Sequence, residues 1–348
     1  MQTRFTDLQG RCKPRKGALA IVLAALALAG AAGCGKEPAA RTVTPSLERP
    51  VPLRLAYGKK IHYAPQIIAI KRGFFADSGL ALEAKVVQAG IQAAEALTSG
   101  SADAAVMGDA PGIIAAASGM PVKIVASYGG GEKMHRLVAG PKSRIRTPAD
   151  LKGKRVAVQM GSSTHGAFLL FLKKIGLDAD DVKLVPLNPS DMPEALLTEQ
   201  IDAGVGSEPW PSNIEERVEG SYEVATLSGL GNNYPLVMLV TEAYAQEHPE
   251  AVVAALRATQ KAVDLMHTDP DRAADLISEA TGVPAARERK IMDTLDWQVV
   301  LDDATVDSLK QTAEFLRSQG KIANPLDWDS VIDRSFVQRM SAAEEGRR

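Results

Sequence analysis

The chain has 348 residues, a formal net charge of −2 and 45% hydrophobic residues. That length suits two ordinary domains, and the near-neutral charge excludes a basic surface built for nucleic acid. Both cysteines, Cys12 and Cys34, lie near the N-terminus, so the remainder of the chain forms no disulfide and no cysteine-ligated metal site.

The first 33 residues read as an address rather than as fold. Arg4, Arg11, Lys13, Arg15 and Lys16 precede an apolar run over residues 18–32. As a helix that run would be about 22 Å long, short of a hydrocarbon core about 30 Å thick, which favours a secretory signal over a permanent span. It ends Ala31-Ala32-Gly33-Cys34, which resembles a bacterial lipobox with Ala31 where leucine is usual. That resemblance implies cleavage before Cys34 and acylation of its thiol. Residues 34–50, with Pro38, Pro45 and Pro50, read as a flexible tether.

Residues 53–57 form the first expected strand, and the loop after it presents Lys59 and His62. Pro65 opens a helix that Gly73 closes. Strands are expected at 82–87, 104–107 and 122–127, with helices at 91–98 and 113–118. Gly108-Asp109-Ala110-Pro111 makes the turn between the second of these strands and its helix. Gly129-Gly130-Gly131 lacks the lysine and spacing of a phosphate loop. Residues 137–139 read as the strand leaving a first lobe, and Thr147 to Leu151 as a capped helical turn.

Next comes a buried strand, Val156-Ala157-Val158, running through Gly161 into a helix. Phe168, Phe171, Leu172 and Ile175 give that helix its apolar face, and Gly176 stands at C′. Ser162, Ser163 and Thr164 are N-cap types. With the unpaired amides and positive end of a helix, and with His165 beside them, they make either an anion site or an ordinary cap. Strands follow at 182–187, 203–206 and 236–240, with a helix at 192–198. The third turn is Ser207-Glu208-Pro209-Trp210. Helices then occupy 252–266, 270–279, 285–292 and 306–318.

Alternating short strands and helices argue for an α/β protein with mostly parallel pairing. One echo sharpens this: Glu95-Ala96-Leu97, Asp103-Ala104, Val106 and Asp109 recur as Glu194-Ala195-Leu196, Asp202-Ala203, Val205 and Glu208, about 100 positions on. Two related lobes, each with an acidic residue past a strand's C-terminal end, explain it. Ligands of open α/β sheets bind at such ends. No nucleophile elbow, phosphate loop or zincin motif occurs, and the five histidines show no metal spacing. The expected protein is therefore not an enzyme and takes no cofactor or metal.

Four stretches together resemble the solute-binding proteins of bacterial importers for aliphatic sulfonates, taurine, nitrate and related anions. They are residues 65–69 with Gly73-Phe74-Phe75, then Gly108-Asp109-Ala110-Pro111, residues 150–159, and Gly161-Ser162-Ser163-Thr164-His165. The resemblance implies a two-lobed periplasmic binding protein-like fold of type II, two α/β lobes joined by a two-segment hinge. Lobe one is expected over 51–140 plus 236–332, lobe two over 141–235, and a C-terminal tail over 333–348. The hinge would cross near Val138 to Ser143 and again near Asn233 to Val237.

The implied role is a monomeric lipoprotein, anchored to a bacterial membrane through Cys34 in the periplasm or at the cell surface. It would close over an aliphatic sulfonate or taurine-like anion and deliver it to an ABC permease driven by separate ATPase subunits. Alternatives are nitrate or bicarbonate, a thiamine pyrimidine precursor, or an enzyme of thiamine-pyrimidine synthesis with His62 or His165 in the site. Candidate ligand contacts are Lys59, His62, Gly108, Asp109, Gly161, Ser162, Ser163, Thr164, His165, Glu208, Trp210 and Tyr234. Glu208 either holds a cationic end with Trp210 over it or caps a helix while Trp210 packs the hinge. Asp109 is a contact or a structural cap, and Tyr234 closes on ligand or packs the hinge.

Overall fold

The computed structural model describes residues 49–345, with side chains as far as Ala342. The signal segment, Cys34 and almost all of the tether lie outside the described residues. In chain order the fold opens with β1 (Val51–Gly58), α1 (Ala64–Lys71), α2 (Phe74–Asp77) and β2 (Leu80–Val87). It continues with α3 (Gly90–Thr98), β3 (Ala104–Gly108), α4 (Asp109–Ala117) and β4 (Val122–Gly129). A second set follows: β5 (His135–Ala139), β6 (Arg155–Val158), α5 (Ser163–Lys174), β7 (Lys183–Pro186), α6 (Met192–Leu197), β8 (Ala203–Ser207), α7 (Trp210–Arg217) and β9 (Tyr222–Thr226). The chain returns through β10 (Leu236–Thr241) to α8 (Glu242–Glu247), α9 (Pro249–Thr268), α10 (Pro270–Thr281) and α11 (Ala285–Met292). It ends in α12 (Asp303–Ser318), α13 (Trp328–Val331) and α14 (Ser335–Glu345).

These strands form two five-stranded sheets, ordered β2-β1-β3-β10-β4 and β7-β6-β8-β5-β9. In each, one strand runs antiparallel between two others: β10 between β3 and β4, and β5 between β8 and β9. The sequence echo is therefore a repeated topology, and it extends to side chains. The Arg54 amide and Nε donate to Asp103 Oδ2 at 2.8 and 3.0 Å, and its Nη1 reaches the Gly100 carbonyl at 2.5 Å. Arg155 repeats all three bonds, to Asp202 at 2.8 and 3.2 Å and to the Glu199 carbonyl at 2.7 Å. Gly100 and Glu199 both turn with positive φ, at 67° and 55°. Glu199 tolerates a conformation that favours glycine because the repeated clamp holds the turn.

Local signals fold as expected. The Ser162 hydroxyl accepts from the His165 amide at 3.2 Å and so caps α5. Gly176, at φ 80°, closes the helix while Leu177 N bonds the Leu172 carbonyl at 2.9 Å. Thr147 and Asp150 form a reciprocal capping box. Behind the sheets, the α9 face carrying Val252, Leu256 and Val263 is buried in the core of the first lobe.

Three expectations need correcting. Residues 137–139 do not leave the first lobe, because β5 is a buried inner strand of the second sheet. The first crossing therefore lies at 130–134, between β4 and β5, and residues 135–140 belong with lobe two. Within the expected C-terminal tail, α14 packs on α9 and β4 and buries Phe336 and Met340. The edge strand β9 was not expected at all; it is short and only half-buried, and so lacks a clear alternation.

The second crossing occupies 227–235 and lies against the first. Gly131 N donates to the Asn233 carbonyl at 2.6 Å, and a Cβ on Gly130 would stand 2.6 Å from that same oxygen. The Glu132 carboxylate accepts four successive amides of the other crossing: Gly229, Leu230 at 3.0 Å, Gly231 at 2.7 Å and Asn232 at 3.3 Å. Hydrogen bonds to a charged acceptor contribute about 1.5–3 kcal/mol each, and amides left unmet cost a similar amount. We expect Glu132→Ala to lose about 2–4 kcal/mol in urea unfolding, with Glu132→Gln intermediate. An unchanged midpoint in both variants would remove the clamp from the account.

Candidate ligand cleft between the lobes

The parallel strands of both sheets end at the crossings. Gly108 and Gly129 pair opposite Leu236, and Ser207 pairs opposite His135. The turns expected to carry function thus converge on one place, where open α/β sheets receive ligands.

Asp109 is the first residue of α4, capped by Gly108, and it is buried. Its Oδ1 accepts from Ser163 Oγ at 2.5 Å across the lobes, and its Oδ2 accepts from Thr312 Oγ1 of α12 at 2.7 Å. Burial pushes its carboxyl upward while the two hydroxyls pull it back. Thr164 Oγ1 lies 2.9 Å from His135 Nδ1. Ser162 donates to the Gln159 carbonyl at 2.7 Å while capping α5. Gly161 N donates to His165 Nδ1 at 3.2 Å, so that ring is neutral with its proton on Nε2; it meets Phe315 edge-on at 5.4 Å. Every hydroxyl of the turn therefore has a protein partner. Of the two readings of this turn, these contacts are those of a helix cap joined to a latch between the lobes.

Glu208 also departs from the amine-binding expectation. It is fully buried, and its Oε1 accepts from Arg136 Nη1 at 2.7 Å while Oε2 faces Ser212 N at 3.4 Å. Arg136 also pairs with Glu215 and Glu223. Burial opposes the charge on Arg136, but three carboxylates outweigh it and raise the guanidinium pKa. Glu208 is turned into this network because Arg136 sits on the neighbouring strand, in register with Gly206.

Of the two loop lysines, Lys59 is exposed. Lys60 is the one that faces the other lobe, its Nζ 5.6 Å from the centre of the half-buried Trp210 ring and 3.1 Å from the Gln88 carbonyl. Burial lowers its pKa.

Around the strand ends several buried polar groups lack protein partners. His62 Nε2, both amide atoms of Gln66, Tyr128 Oη, His135 Nε2 and Tyr234 Oη are all buried with no hydrogen bond to the protein. His135 stands perpendicular to Tyr234 at 4.3 Å. Tyr234 holds a positive φ of 45°, with its amide on Asn232 Oδ1 at 2.8 Å. Burial lowers His62 to about 4, helped by the Lys60 charge, and lowers His135 to about 3, helped by His62. Burial likewise raises Tyr63 to about 12 and holds Tyr128 and Tyr234 above their ordinary value. At neutral pH the imidazoles are uncharged and the phenols are protonated. Such atoms are costly to bury alone, and together they offer a set of neutral donors.

Sequence reasoning reached His62 and Tyr234 and missed Lys60, Gln66, Tyr128 and His135. Gln66 is a lone polar residue in an apolar run, and that interruption was its signal; Tyr128 beside Ser127 and His135 among Glu132, Lys133 and Arg136 carry none. Among the described residues no group of three or more His, Cys, Asp or Glu is placed to hold a metal ion, and no helix is long and apolar enough to cross a membrane.

Comparison with known proteins places the fold and the family. The chain is 26% identical over 262 residues to the taurine-binding periplasmic protein of Escherichia coli, covering 72% of this chain and 81% of that one. Its fold matches the alkanesulfonate-binding protein SsuA from Xanthomonas axonopodis pv. citri, solved bound to MOPS, with a TM-score of 0.70 and 26% identity over 83% of this chain and all of that one. It also matches the periplasmic aliphatic sulphonate binding protein SsuA from Escherichia coli, with a TM-score of 0.75 and 24% identity over 82% and 92% of the two chains. The two-lobed α/β fold is thus that of periplasmic binding proteins. The family model described as NMT1/THI5-like matches residues 60–273. That span is more than half of the chain and holds both crossings and every group of the inner surface; the chain belongs to the NMT1/THI5-like family.

Proposed function

We propose that this chain is the substrate-binding lipoprotein of an ABC importer, capturing an organic sulfonate between its lobes and passing it to a membrane permease. The observation that carries the reading is the set of buried, unpartnered polar atoms on His62, Gln66, Tyr128, His135 and Tyr234. A sulfonate is a permanent anion with three acceptor oxygens, and phenol, amide and imidazole N–H groups answer it without a counter-charge. Three or four such bonds at about 1.5–3 kcal/mol each approach the roughly 8 kcal/mol of a micromolar site, before ordering costs. The names of the relatives point to the same ligand class. Periplasmic placement, and anchoring through Cys34, belong to the same reading.

The latch supplies the mechanical part. Ser163 on lobe two meets Asp109 on lobe one, so a ligand that fills the cleft and this bond favour the same closed form. The closed form is then what the permease recognises, and its ATPase subunits do the work. Chemistry on the solute is not part of this reading: Ser163 Oγ is engaged with a carboxylate and His165 Nδ1 with a backbone amide.

The test is calorimetric titration of the purified protein with ethanesulfonate and taurine. Micromolar binding of ethanesulfonate is expected. Tyr234→Phe should weaken it about tenfold, the loss of one bond to a charged group, without lowering the melting temperature of the free protein. Absence of sulfonate binding, or binding indifferent to Tyr234→Phe, would count against the reading. So would the appearance of product on incubation.

A further inference from the structure

We propose that the groove between α5 and α12 is a second compartment of the ligand site, shaped for the apolar tail of an amphiphilic anion whose head lies among the buried donors. The inference rests on the sulfonate reading of the cleft. The groove is open on one side and holds about 790 Å³; Leu169, Leu170, Leu230 and Phe315 supply its apolar wall, beside a polar part that includes Lys173 and three carboxylates. That volume lies within the roughly 300–1,000 Å³ of small-molecule pockets.

The groove is not separate from the cleft. Between the two lies a space of about 20 Å³ whose lining includes Ser163, Thr312 and Tyr234, the latch and inner residues, and also Gly166, Leu170 and Phe315, which line the groove. Gly166 is what lets the walls approach, since a Cβ there would stand 2.8 Å from the Phe315 ring. A glycine inside a helix weakens it, so this residue type has a packing reason here. Leu170, 41% exposed, presents a large apolar side chain on the groove wall.

Chemistry sets the direction. The inner surface is polar and needs acceptors, so a methylene chain held there would leave donors unmet. The apolar walls lie past the latch, and α5 comes from lobe two while α12 packs on α4 of lobe one. A head among the donors and a tail in the groove would therefore touch both lobes at two places. The site would prefer longer alkanesulfonates to ethanesulfonate.

Titration of the full protein with n-alkanesulfonates from ethane- to decanesulfonate tests this. In the parent protein the dissociation constant should fall about fourfold per methylene once the chain passes the latch, the factor that corresponds to burial of one CH₂. The decane-to-ethane ratio should exceed a hundredfold. Leu170→Glu should reduce that ratio below tenfold. Leu197→Glu, a charge placed on a similarly exposed leucine outside the groove, 53% against 41%, should keep it. Affinity independent of chain length in the parent, or an unchanged ratio in Leu170→Glu, overturns the groove while leaving the sulfonate reading intact. Failure of every alkanesulfonate to bind overturns that reading, and the groove proposal with it.

Discussion

Arg136→Met should destabilise the protein by about 3–5 kcal/mol, the range for removing one partner of a buried ion pair. Arg136 is 8% exposed at its side chain and holds Glu208, Glu215 and Glu223, of which Glu208 is 1% exposed. Methionine keeps an unbranched apolar stem, so the packing loss is small and the effect reports charge. Without the guanidinium, Glu208 keeps only the Ser212 amide at 3.4 Å, far too little for a desolvated carboxylate. The melting temperature should fall roughly 6–10 °C, at about 2 °C per kcal/mol for a chain of this size. A double variant separates charge from packing. Glu208→Gln added to Arg136→Met removes the orphaned charge, so it should recover part of the loss, a non-additivity expected only of residues in contact. A loss below about 1 kcal/mol in the single variant, or strict additivity in the double, would show that the network does not hold the second sheet. Glu208→Gln alone should leave the preference between taurine and ethanesulfonate unchanged, whereas an amine-holding carboxylate would shift it.

That Glu208 reads in the sequence as either a ligand group or a helix cap, and in the fold as one side of a buried ion pair, shows where sequence reasoning stops. Its position past a strand end is legible because strand and turn are local. Its partner lies 72 positions earlier, on a strand whose sheet membership depends on a five-residue crossing. The same limit explains residues 137–139: an all-apolar inner strand looks alike in either lobe. The hydroxyl turn divides in two. Ser162 as cap is legible, since the bond spans three residues, whereas Ser163 meets Asp109 over 54 positions and Thr312 meets Asp109 over 203. The repeat was readable because its signature is local in each copy, and the fold extends it to the matched clamps Arg54–Asp103 and Arg155–Asp202. Gln66, Tyr128 and His135 carry no such pattern. Such residues acquire meaning only when burial and an unpartnered atom are seen together.

Acidification from pH 7 to pH 5 should remove about 3–4 kcal/mol of stability, by way of His62 and His135. Both are lowered in the folded protein, to about 4 and about 3, against about 6.5 in the unfolded chain. Between those values the unfolded chain binds protons that the folded protein refuses, and stability rises with pH wherever the unfolded state holds more protons, so acidification lowers it. The loss begins below about pH 6.5 and runs down through the folded values, at up to about 1.4 kcal/mol per pH unit for each ring. Asp109, raised by burial, has the opposite sign, because its folded form favours the proton. Asp150, Asp181, Asp202 and Asp302 are lowered, chiefly by hydrogen bonds and ion pairs that outweigh desolvation, and they titrate below this window. Urea unfolding at pH 7, 6 and 5 should therefore show a slope approaching two protons, falling to one in either His62→Phe or His135→Phe. An undiminished slope in both variants would place the proton linkage elsewhere. If a sulfonate sits against these imidazoles, its charge favours their protonated forms. Saturating ethanesulfonate should then flatten the slope beyond the constant stabilisation that binding to the folded state supplies at every pH.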